Sequence, residues 1–227
     1  RSIRHVLGWE WIGSTIYLHK RLRDLGNVQA AMCLDALALP RHLNDEAVEL
    51  IMNPHAQSSC TDALLLDLWE RYYRLRPSTN IRAGETPHSR PTDTQFCDPV
   101  YNIPTVYPYA TVGRMWHNSR DVAALHDPEM YRIFAATAGA FLYTLASADS
   151  EGACQLAGTA YTRAIGSLAR KTSDAGRPGA NTCMDAIDHL AERHREAIRS
   201  ASRLARNSTK TRQHIGSLIG RMDRWLA

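Results

Sequence analysis

Residues 28–37, VQAAMCLDAL, form an almost continuous apolar run interrupted only by Gln29 and Asp35. A short run without alternation is the pattern of a strand covered on both faces of a sheet. Residues 3–7 read as an earlier strand, and residues 14–25 as a helix that Gly26 and Asn27 terminate. The order strand, helix, strand predicts a parallel βαβ unit. The fold class that follows is a three-layer α/β/α domain with a largely parallel central sheet.

Further along, residues 61–75 carry Leu64, Leu65, Leu68, Trp69 and Tyr72 at helical spacing, with Pro77 beyond the end. That stripe is core. Between residues 78 and 108 the text turns to Pro, Thr, Asn and Asp, with one apolar segment, residues 103–107, that predicts another strand. Loops of this kind carry chemistry more often than cores do. After Pro128 a long apolar helix is expected to about residue 148. Residues 151–227 read as helical almost throughout, broken near residues 173–178 and at Asn207 and Ser208. The domain division that follows is 1–148 for the α/β part and 149–227 for a helical appendage. In the appendage Ile187, Leu190, Ala191, His194, Ala197, Ile198, Ala201 and Leu204 mark one stripe, expected to pack within the chain against the last helix.

A hydrophobic fraction of 44% with 22% charged residues lies well away from the composition of disordered chains. No run approaches the roughly 20 apolar residues that span a bilayer, so no membrane span is expected. The chain opens at Arg1 and enters a β-like run at once, which predicts an upstream segment. Five cysteines, odd in number and without a C-x-x-C pair, predict neither a disulfide scaffold nor a cysteine zinc cage. Residues 1–150 hold 14 Lys+Arg and 16 Asp+Glu, and residues 151–227 hold the other 13 and 7, so the tail carries the net charge of +4. Its arginines are interleaved with Glu192 and Glu196, the pattern of a solvated helix face, and no nucleic-acid partner is expected.

Glu10 follows the first predicted strand, Asp35 closes the second, and His117 lies in a later loop. In α/β sheets ligands gather at the carboxyl ends of strands. A carboxylate closing an apolar strand is costly to bury unless paired or metal-bound. Mixed carboxylate and imidazole donors suit zinc. Ten histidines and 23 acids also make such triples common by chance, so spacing alone leaves a structural role open.

Residues 3–18, IRHVLGWEWIGSTIYL, resemble the glutamate-bearing strand-to-helix junction of the zinc aminopeptidases of metallopeptidase family twenty-eight, the group that includes bacterial leucyl aminopeptidases. VQAAMCLDAL resembles the family's next strand, which ends in a metal-binding aspartate. TDTQFCDPVYNIPT, residues 92–105, is similar to its S-D-x-x-x-F and G-I-P-A segment, and WHNSRD, residues 116–121, to its H-T-S-x-D loop. Four segments in the family's order are more specific than any one of them. They cover roughly residues 1–148, the C-terminal part of the catalytic domain.

The resemblance implies two zinc ions in the intact protein, Asp35 a ligand of one and His117 of the other, with Glu10 a ligand or the general base. It implies hydrolysis of N-terminal peptide bonds, with a peptide as substrate. Asp93 and Asp121 would orient loops or His117, unless they only cap loops through side-chain to backbone hydrogen bonds. His19, His42, His55, His88 and His126 match nothing in the family pattern and read as surface residues. Members typically carry two adjacent glutamates where this chain has Trp9, Glu10 and Trp11. Some branches keep one, in a P-E-x-x-G-S context close to W-E-W-I-G-S here. The family's first histidine and bridging aspartate would lie upstream of Arg1, which implies that this piece alone is inactive. A non-catalytic binding or receptor-like relative of the same fold is the alternative.

Overall fold

A computed structural model describes residues 1–35, 37, 47–76, 82–86, 94–110, 119–176 and 184–227; of Glu10, Ala47 and Arg82 only the backbone is described. The chain divides into two units, residues 1–54 with 65–146, and residues 55–64 with 147–227.

The first unit is mixed α/β. Its described elements are α1 (Glu10–Arg21), β1 (Ala31–Met32), β2 (Ala47–Ile51), most of α2 (Cys60–Leu75), β3 (Arg82–Thr86), β4 (Thr105–Ala110) and α3 (Pro128–Ser147). The strands form one sheet in the order β1-β4-β2-β3. β1 runs parallel to β4, β2 antiparallel to β4, and β3 parallel to β2. The sheet is therefore mixed, where a largely parallel one was expected. β4 is buried at all six positions, as a strand with neighbours on both sides should be. The expected strand at 103–107 is thus found two residues later and runs on to Ala110. Pro108 has no N–H to donate, and it falls where β1 leaves the ladder, between the pair Met32 and Val106 and the isolated bridge from Asp35 to Tyr109.

Two expectations are corrected here. Residues 3–7 form no strand: they lie exposed, and Arg4 donates to the Tyr17 hydroxyl at 3.0 Å. A β-prone run becomes a strand only beside a partner that completes its hydrogen-bond ladder, and no described strand lies alongside. Residues 28–37 hold a strand of two residues, half-buried rather than covered on both faces. The helix expected from residue 14 starts earlier, at Glu10. Its entry is close-packed. The Gly13 N–H donates to the Trp9 carbonyl at 2.6 Å, and a Cβ on Gly13 would lie 2.8 Å from the Cα of Gly8, so both positions need glycine.

One core cluster joins Leu18 of α1 to Leu25 and Ile103, with Val28, Ala31 and Phe96 around it. It sits where β1 and β4 begin. A second joins Ile51, Tyr107 and Tyr109, with Cys33 against it. On α2 and α3, Trp69 meets Phe134 edge to face, ring centroids 5.5 Å apart. Tyr72 donates to Glu129 at 3.2 Å, and burial beside that carboxylate raises the phenol above its ordinary range.

The second unit holds the helices α4 (Ser150–Ala175), α5 (Met184–Ser200) and α6 (Thr209–Leu226). Apart from Ser208 and Ala227, every described residue after 151 is helix, turn or short 3-10 segment, as the text predicts. Asp149 caps α4, accepting from the N–H groups of Glu151 and Gly152, both at 2.9 Å, and these bonds hold its carboxyl below the usual range. Ser208 caps α6 by accepting from the Thr211 N–H at 3.1 Å. The stripe on α5 buries Ile187, Ala191 and Ile198. It packs chiefly on α4 and only secondarily on α6. The expected partner was α6; α4, which carries the buried alanines 153, 157, 160 and 164, takes most of the contact instead. Arg195 pairs with Glu192 and Asp223, and Arg199 with Glu192 and Glu196, on the exposed face.

Candidate functional site

Asp35 stands two residues past the strand Cys33 extends, at the carboxyl end of β1, and bridges in parallel to Tyr109 near the carboxyl end of β4. The Tyr107 hydroxyl donates to Asp35 Oδ2 at 3.3 Å. Tyr107 is held in place by full burial and by Tyr109, whose ring centroid lies 5.2 Å away at 69°. One carboxylate oxygen is therefore oriented by a fixed phenol. The Asp35 residue itself is exposed. This corrects the sequence argument from burial: a solvated carboxylate has no desolvation cost for a metal to offset. What remains is its place at the strand ends.

Glu10 is the first residue of α1. Its side chain lies outside the described residues, as do His117 and Asp93 entirely. Asp121 is described. It accepts from His126 Nε2 at 2.8 Å, and His126 Nδ1 lies 2.6 Å from the Tyr131 hydroxyl. His126, expected to be a surface residue, is the centre of a three-residue chain that ties the segment after residue 118 to the first turn of α3. The spacing D-x4-H-x4-Y ahead of a Pro-started helix was the available signal, and only a turn that folds back on itself gives it meaning. Of the remaining surface histidines, His19 is exposed, His55 meets His189, and His42 and His88 lie outside the described residues. Asp35 and Asp121 therefore engage different partners, Tyr107 and His126.

A cavity of about 360 Å³ opens in the same unit between Thr15, Pro54, Thr94, Gln95, Cys97, Asp98 and Tyr101. Its walls come from the segments preceding β4 and following β2, so it lies at the opposite end of β4 from Asp35. Four residue steps of strand, from Thr105 to Tyr109, separate the start of β4 from the Asp35 bridge by about 13 Å. Asn53, buried beside it, accepts from the Thr105 N–H at 2.5 Å and so closes the first rung of β4.

Among the described residues no three His, Cys, Asp or Glu side chains converge as a metal group, and no helix is long and apolar enough to cross a membrane. No protein-family model, curated protein or solved structure gives a significant match to this chain.

Proposed function

We propose that this chain is the C-terminal part of a zinc-dependent aminopeptidase-like hydrolase, with the three-layer α/β/α fold of that family and a helical appendage after residue 148. The observation that carries the reading is the bridge from Asp35 to Tyr109. It puts the carboxyl ends of β1 and β4 side by side, and β4 ends at Ala110, seven residues before His117. Seven residues reach at most about 25 Å, ample for the imidazole to come to the Asp35 end of the sheet. On this reading the proposed ligands would follow the ends of adjacent parallel strands, as ligand groups in α/β sheets do.

A second support comes from the turn before β4. Asn102 stands where the resembled G-I-P-A segment has glycine, and its φ of 53° lies in the left-handed region that glycine and asparagine tolerate. The donor set also fits: Asp35 presents a carboxylate with one oxygen held by Tyr107, which resembles the hydrogen-bonded ligands of metal centres. Two zinc ions held by Asp35, His117 and upstream ligands would polarise the scissile carbonyl and acidify a bound water. Glu10 would accept that water's proton or serve as a ligand. The chain of Asp121, His126 and Tyr131 would anchor the loop four residues after His117.

The test uses aminoacyl-p-nitroanilide hydrolysis. The 227-residue chain by itself should be inactive, and a chain extended upstream should show activity that a chelator removes and that Asp35→Ala and His117→Ala abolish. Activity in the extended chain unaffected by either substitution would overturn the proposal. The second reading, a non-catalytic relative, is favoured by the single glutamate between Trp9 and Trp11. It predicts an extended chain that holds less than two zinc equivalents sensitive to Asp35→Ala and His117→Ala.

A further inference from the structure

In the second unit, His55 and His189 face each other, Nδ1 of the first 3.1 Å from Nε2 of the second, with ring centroids 5.3 Å apart. The two residues are 134 positions apart in sequence and both are exposed. We infer that this pair is a bidentate site for a divalent first-row transition metal, with solvent completing the coordination. It is independent of the hydrolase proposal, since neither histidine belongs to the resembled pattern.

The geometry is that of a chelate. Two imidazole nitrogens each about 2.0–2.1 Å from one ion, at angles between octahedral and tetrahedral, stand about 2.9–3.4 Å apart. The observed separation falls inside that range. In the metal-free chain the same separation is a hydrogen bond, in which one ring donates and the other accepts, so on loading the donor ring would take its other tautomer and the ion would sit where the shared hydrogen was.

The backbone on the His55 side is tethered. His55 opens a 3-10 turn, His55–Gln57, in which its carbonyl accepts from Ser58 Oγ at 3.2 Å. Five residues later the Cys60 N–H donates to Ser200 Oγ at 2.8 Å, which fixes the start of α2 to the end of α5. That one tether, eleven residues along α5 from His189, holds the turn against the helix that carries His189. Solvent reaches both rings, so water ligands have room.

The charges around the pair are mixed. Arg193 lies one turn beyond His189 and disfavours a second cation, while Asp185 lies one turn before it at i−4 and favours one. Partial burial, with Arg193 and His189, holds His55 below the ordinary imidazole range. A neutral ring is the form that binds metal, so this shift favours loading at His55.

The experiment is a titration of the tag-free 227-residue chain with Zn2+ at neutral pH, followed calorimetrically and by the histidine ring protons in NMR. The expected result is one zinc equivalent that perturbs His55 and His189. His55→Ala and His189→Ala should each weaken that binding by about tenfold or more, because one imidazole retains only half of the chelate. Asp35→Ala should leave it unchanged, which separates this site from the proposed hydrolase centre. Both histidines are exposed, so the variants should keep the parent's circular dichroism spectrum. A parent that binds no zinc, or single variants that bind it as tightly as the parent, would overturn the inference.

Discussion

The two units present opposite relations between text and form. In the second unit the apolar residues recur at helical spacing and become helices where they stand, because each turn closes its own hydrogen bonds. In the first, β-prone text becomes strand only where another segment lies alongside. Residues 3–7 lie beside no described strand and stay irregular and exposed, while β4 lies between two strands and is buried throughout. A helix is a local solution and a strand a collective one.

The comparison can be tested first at the core of the sheet-bearing unit. Phe134, 1% exposed and set against Trp69, should cost about 3–5 kcal/mol when replaced by alanine. Hydrogen exchange should speed up in α3 before it does in α4; equal acceleration in both would show that the units do not hold separate cores.

In the helical unit the largest effect should come from acid. His194 is partly buried, its Nε2 makes no hydrogen bond, and burial, with Arg193 adding, lowers it to about 4. The unfolded chain, with an ordinary imidazole near 6.5, therefore binds more protons between about pH 4 and 6.5. Stability from this group is complete above that window and falls with acidification by at most about 1.4 kcal/mol per pH unit. His194→Leu should flatten the dependence of melting temperature on pH across that range. An unchanged slope would place the acid sensitivity elsewhere.

A smaller effect is expected at the turn that feeds β4. Asn102→Val should destabilise by about 1–2 kcal/mol, since a β-branched side chain resists positive φ, whereas Asn102→Gly should be close to neutral. Equal effects of the two in urea denaturation would mean that the side chain, not the backbone, matters there. The smallest is the cap of α6: Ser208→Ala should cost about 1 kcal/mol by removing the acceptor for the Thr211 N–H. A loss much larger than that would tie the helical unit's stability to its ends more than to its stripe.

The sequence by itself determined the helices. α2, α3 and the breaks around α4 to α6 stand within a few residues of their expected places, because periodicity, Pro77, Pro128 and the Asn207–Ser208 break are local signals. It also marked Asp35 and Asp121 as residues worth finding. Only the tertiary structure decided that the sheet is mixed, that β2 and β3 exist, and that β4 passes through Pro108, since a strand's partner and direction are not written in its own residues. The same holds for the polar groups. Asp35 was read as buried and is exposed beside Tyr107, and His126 and His55 were read as surface residues yet meet Asp121 with Tyr131 and His189. A side chain's partners are set by which backbones the fold brings within hydrogen-bond reach, a distance that spacing along the chain does not contain.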